Sequence, residues 1–108
     1  MDYTLKKVEA IVYRFDKTNP DLLGRVDYIV EDDEYGDKIA FSAEVYWCYD
    51  DNVDASFTSI ELRSVYCRDG LADFVDVNRD KLICLGIQKF HEAEEAHPDI
   101  VKTRDEEY

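Results

Sequence analysis

The 108-residue sequence predicts an α+β fold: an antiparallel meander of four or five strands covered by one C-terminal helix. Three observations carry that prediction. Apolar residues alternate with polar ones in successive stretches up to about residue 66, clusters of Asp, Asn, Gly and Pro separate those stretches, and from Asn78 the apolar spacing becomes helical. At this length, with 45% hydrophobic residues, the chain fits one domain able to bury a core without disulfides or metals. The expected division is a domain over 1–101 and a polar, frayed tail over 102–108.

The first strand is expected from Tyr3 to Phe15. Val8, Ala10 and Val12 share one face and Leu5, Ile11, Tyr13 and Phe15 the other, which predicts cover on both sides: a helix on one and a partner subunit on the other. Asp16 to Asp21, with Pro20, forms a turn, and a second strand follows over Leu22 to Val30. Glu31 to Asp37 is an acid-rich turn containing Tyr35-Gly36. It leads into the most regular strand of the chain, KIAFSAEVYWCY, in which Ile39, Phe41, Ala43, Val45, Trp47 and Tyr49 share one face and Lys38, Ser42, Glu44 and Cys48 the other. Trp47 is therefore assigned to the core, while Tyr46 and Tyr35 are the aromatic residues expected outside it.

A second acid-rich turn, Asp50 to Asp54, leads to a strand starting near Ala55, whose imperfect alternation through Tyr66 suggests a bulge. Arg68-Asp69-Gly70 signals a turn, and Leu71 to Val77 reads as a short fifth strand. Asn78 is placed as the N-cap of a helix of about 18 residues that ends before Pro98, with Leu82, Ile83, Leu85, Gly86, Ile87, Phe90 and Ala93 on its apolar arc.

Charge is the most distinctive property of the chain. The formal net charge is −13, and eleven of the acids lie between Val26 and Leu62 against the single base Lys38. Such a field repels nucleic acid and anionic lipid and attracts cationic proteins. The competing account is that excess acid only keeps a small protein dispersed. The three cysteines, at 48, 67 and 84, are odd in number and lack CxxC spacing, which argues against a disulfide framework or a zinc ribbon. With no signal-like apolar run and no stretch long enough to span a bilayer, the expected compartment is the cytoplasm.

Chemistry-bearing motifs are weak. His91 and Glu95 are four apart and Glu94 and His97 three apart, but HEAEE lacks the second histidine of HExxH, and a solvated helix end explains it. Asp76-Val77-Asn78-Arg79-Asp80 opens like a calcium loop, yet Lys81 and Ile87 stand where that loop needs glycine and glutamate. The glycines form no phosphate-binding loop, and Cys67 near Arg63 and Arg68 is better read as a small apolar residue than as an activated thiolate. No catalytic residue, metal or cofactor is implied, and the expectation is a protein that is not an enzyme.

Aromatic side chains ringed by carboxylates are different, because tight protein interfaces use aromatic anchors with a polar rim. The candidate partner-binding residues are Asp32, Asp33, Glu34, Tyr35, Asp37, Glu44, Tyr46, Asp50, Asp51 and Asp54. The expected function is that of an acidic inhibitor of a basic protein, an immunity or antitoxin-type protein blocking a nuclease or other toxin domain, without direct nucleic-acid or membrane binding and with homodimerisation open. Two alternatives stand beside it: a phage-type nucleic-acid mimic that inhibits a host defence nuclease, of the anti-restriction or anti-CRISPR class, or a non-catalytic subunit of a larger complex.

Overall fold

The computed structural model describes residues 2–50, 52, 55–61 and 70–107. Within them the elements are β1 (Tyr3–Val12), β2 (Leu22–Asp32), β3 (Lys38–Asp50), β4 (Ala55–Glu61), α1 (Leu71–Val77), α2 (Arg79–Ala96) and α3 (Pro98–Glu107). The four strands form one antiparallel sheet in the order β1-β2-β3-β4, a meander packed against the long helix α2. The α+β architecture is thus the one the alternation and the change of period predict.

Strand parity decides which side chains face the helix. Val26, Tyr28 and Val30 of β2 lie opposite Ala43, Phe41 and Ile39 of β3, and Val45 lies opposite Ile60 of β4. This face is closed by Leu82, Gly86 and Phe90, spaced four apart along α2 and all buried. α2 approaches most closely at Gly86 and Gly24. A Cβ on Gly86 would stand 2.3 Å from the Tyr28 hydroxyl, and one on Gly24 would stand 2.1 Å from the Ile11 carbonyl and 2.7 Å from the Phe90 ring. The Tyr28 hydroxyl donates to the Leu82 carbonyl at 2.8 Å, tying the middle of the sheet to the helix, and the Tyr28 and Phe41 rings stack at 5.2 Å.

Three sequence-based expectations require correction. First, the register of β1 against β2 shifts between Leu5 and Lys7, so Lys6 is an extra residue and Tyr3 and Leu5 join Val8, Ala10 and Val12 on the core side. Ile11, left on the outer face, is 38% exposed.

Second, Trp47 has core parity but is 44% exposed. Third, Leu71–Val77 is a helix. Leu71 and Val75, one helical turn apart, are fully buried, whereas Val77, which a strand would bury beside them, is 83% exposed. Asn78 stands at the N-cap of α2, as expected, and its carbonyl accepts the Leu82 N–H; its side chain does not cap that helix, because its amide Nδ2 and its backbone N–H both donate to the Phe74 carbonyl and close α1.

Helix α2 has the expected 18 residues and ends before Pro98, after which the chain continues as α3, proline taking the first helical position where its missing N–H costs nothing. Over Ala55–Glu61 the pairing of β4 with β3 shows no register shift; the rest of the stretch through Tyr66 in which a bulge is expected, and the reading of Cys67 with Arg63 and Arg68, lie outside the described residues.

Candidate functional site

The turn between β2 and β3 is built around one carboxylate. Asp32 is 1% exposed, and its Oδ1 accepts the backbone N–H of Glu34 at 2.8 Å and that of Tyr35 at 3.4 Å. Its own backbone closes the turn from both sides: its N–H donates to the Asp37 carbonyl and its carbonyl accepts the Gly36 N–H, each at 2.8 Å. Gly36 sits at φ +73, a conformation that a side chain would oppose. Asp32, counted among the contact residues on sequence grounds, is therefore the residue that shapes the turn, and its carboxylate does not reach the surface.

What the turn presents is Asp33, Glu34, Tyr35 and Asp37, all exposed, with Tyr35 at 67%. Asp33 is also tied to the start of β1, since its Oδ1 accepts the Thr4 hydroxyl at 2.7 Å and its N–H donates to the Asp2 carbonyl at 3.0 Å. The N-terminal strand thereby brings Asp2 beside the turn. Long-range strand pairing, which alternation does not encode, produces that juxtaposition.

Glu44 and Tyr46 lie on the outer face of the sheet, as parity predicts, and the Tyr46 hydroxyl donates to the Glu44 carboxylate. They do not stand in an uninterrupted acidic field. Arg25 is the cross-strand partner of Glu44, with Glu61 at the register position on its other side, and Lys38 is the partner of Glu31. Asp27 accepts from Ser42 at 2.6 Å and pairs with Arg25 at 3.3 Å, while Lys6 pairs with Glu31 and Lys7 with Glu9 at 3.2 and 2.9 Å. The hydrogen bond with Tyr13, and then the charge of Asp27, raise the Arg25 pKa and hold its guanidinium charged.

Asp50 ends β3 at the opposite end of the strand; its side chain, and all of Asp51 and Asp54, fall outside the description. The two acidic turns are separated by the length of β3, about 40 Å at roughly 3.4 Å per residue. One compact surface cannot contain both.

At the helical end of the molecule, His91 Nδ1 lies 3.1 Å from a Glu94 carboxylate oxygen, one turn along α2. Among the described residues no group of three or more His, Cys, Asp or Glu is placed to hold a metal ion. Cys48 Sγ lies 3.0 Å from the Ser59 hydroxyl, and the Asp76 carboxylate of the calcium-like stretch pairs with Arg79 at 2.8 Å. No helix among the described residues is long and apolar enough to cross a membrane.

Sequence reasoning missed Asp2, Thr4, Phe74 and Val77, which border the acidic turn or lie next to it. Thr4 and Asp2 carry no local signal, and Phe74 and Val77 come together on one side only when Leu71–Val77 is a helix. The chain matches no protein-family model, no curated protein and no solved structure.

Proposed function

We propose that the protein is an acidic binding module that inhibits a basic protein, in the manner of an immunity protein or antitoxin blocking a nuclease or other toxin domain, and that it uses the β2–β3 end of the sheet to do so. The observation that carries this reading is Tyr35: a two-thirds exposed aromatic ring among Asp33, Glu34 and Asp37, on a turn that the buried Asp32 holds in shape. A pre-shaped turn loses little conformational entropy on binding, an exposed ring supplies an anchor, and the surrounding carboxylates steer a cationic partner into place.

The nucleic-acid mimic is less well supported, because it requires carboxylates at phosphate-like intervals along the 40 Å between the two turns. Arg25 and Lys38 interrupt that line, and Asp27 is already engaged by Arg25 and Ser42. Charge reversal tests the choice. Asp33→Lys, Glu34→Lys and Asp37→Lys together should weaken partner binding at least about a hundredfold, while Asp50→Lys, Asp51→Lys and Asp54→Lys together should change it less than about threefold. Equal losses at both ends, with DNA competing for the same partner surface, would favour the mimic.

A further inference from the structure

Beside the acidic turn lies a groove between α1 and the start of β1. One part, of about 250 Å³, is lined by Asp2, Gly70, Asp73, Phe74, Val77 and Asn78. An adjoining part, of about 300 Å³, shares Phe74 and Asn78 and adds Tyr3, Thr4, Leu5 and Lys81. Its apolar element is Phe74, which borders both parts and whose ring lies 5.8 Å from that of the buried Tyr3; beside it Val77 is 83% exposed. An aliphatic side chain left this open on a well-formed helix stabilises nothing within the described fold.

The charged residues that line the Val77 part of the groove are acidic. Asp2 and Asp73 line it, and Asp33 is joined to it by the Thr4 hydroxyl and by the Asp2 carbonyl, so the acidic rim runs on into Glu34 and Tyr35. Asp76 is offset by Arg79, and Lys81 is the cation lining the far part. We propose that this groove is a docking site for a cationic amphipathic peptide segment, which places an apolar side chain against Phe74 and Val77 and its flanking lysines or arginines on Asp73, Asp2 and Asp33. The proposal rests on the basic-partner reading above and deepens it by naming the segment of that partner. An apolar centre within a charged rim gives such a partner affinity from burial and selectivity from charge. A site for a purely polar polycation would have no use for an exposed valine beside a partly buried phenylalanine.

Two synthetic peptides of about twelve residues test it on the ¹⁵N-labelled full chain by chemical-shift titration. One carries leucines between lysines, and the other has serine at each leucine position, so their charges match. The leucine peptide should shift the amides of Tyr3, Thr4, Phe74, Val77 and Asn78 and bind about tenfold more tightly than the serine peptide. Val77→Ser, a change at an exposed position that leaves the fold intact, should abolish that advantage. Asp73→Lys should weaken both peptides about tenfold, whereas Glu92→Lys, an equal charge change on α2, should alter binding less than twofold. Equal affinity of the two peptides, or shifts centred on the β3–β4 end, overturns the groove while leaving a basic partner in place. No shift with either peptide overturns both. A free chain that sediments as a dimer and becomes monomeric with Val77→Ser assigns the groove to a second copy and also overturns the proposal.

Discussion

Asp32 and Tyr28 are both buried polar groups, but they do different work. The Asp32 carboxylate satisfies two backbone N–H groups of the turn that displays Tyr35. Asp32→Ala should therefore cost about 1–2 kcal/mol in urea unfolding at unchanged m-value, while Asp32→Asn, which keeps an acceptor in place, should cost less than about half of that. Tyr28 links β2 to α2, and burial pushes its hydroxyl pKa up to about 12. The unfolded chain releases that proton near pH 10. Below about pH 10 both states keep the proton and the full stability is present. Between about 10 and 12 the unfolded state ionises first, so stability falls as pH rises, by about 2–3 kcal/mol in all. Tyr28→Phe should lose about 1 kcal/mol at neutral pH through the missing bond to Leu82, and the difference between the wild-type and variant pH curves should carry the alkaline fall. A difference curve flat from pH 9 to 12 would contradict the assignment.

The helix–sheet contact makes a sharper prediction. A methyl group at Gly86 would lie 2.3 Å from the Tyr28 hydroxyl but 3.4 Å from the ring carbon that carries it, and 2.7 Å from the movable end of Ile60. Gly86→Ala should destabilise wild-type protein by about 1–3 kcal/mol despite the helix propensity it adds. In a Tyr28→Phe background the same change should cost at least about 1 kcal/mol less, a coupling that a double-mutant cycle of chemical denaturation measures. The sequence revealed why α2 covers the sheet, because Leu82, Gly86 and Phe90 repeat at helical spacing and Val26, Tyr28 and Val30 at strand spacing. It did not reveal the closeness of that contact, which depends on Gly86 meeting a tyrosine 58 positions away, nor the bulge at Lys6, which moves Tyr3 and Leu5 between faces. LADFVDV reads as a strand because seven residues satisfy periods of two and of 3.6 almost equally. The exposure of Val77 decides between them, and exposure is a tertiary property. The site was legible in the same degree: the exposed acids and Tyr35 were visible as turn residues, whereas the internal role of Asp32 depended on which carboxylate the strand ending buried.

At the scale of the whole molecule, a net charge of −13 on 108 residues imposes self-repulsion on the folded state and a long-range field on any partner. Ion pairs such as Arg25–Asp27 and Lys6–Glu31 offset part of that repulsion on the sheet's outer face, but their basic ends are solvent-exposed and each pair contributes at most about 1 kcal/mol. Raising salt should therefore raise the melting temperature by a few degrees, since screening relieves more repulsion than it removes attraction. Association with a basic partner should respond in the opposite direction. The screening length is about 8 Å at physiological ionic strength, so the field that guides approach is lost before the contacts between docked surfaces are. Stopped-flow measurements between roughly 20 and 500 mM salt should show the association rate falling at least about tenfold while the dissociation rate changes less than about threefold. The charge-reversed β2–β3 turn should flatten that salt dependence, and Val77→Ser should leave it intact while speeding dissociation, because the valine acts only after contact. An association rate independent of salt would remove electrostatic steering as the reason for the acidic composition and leave solubility as its sole physical consequence.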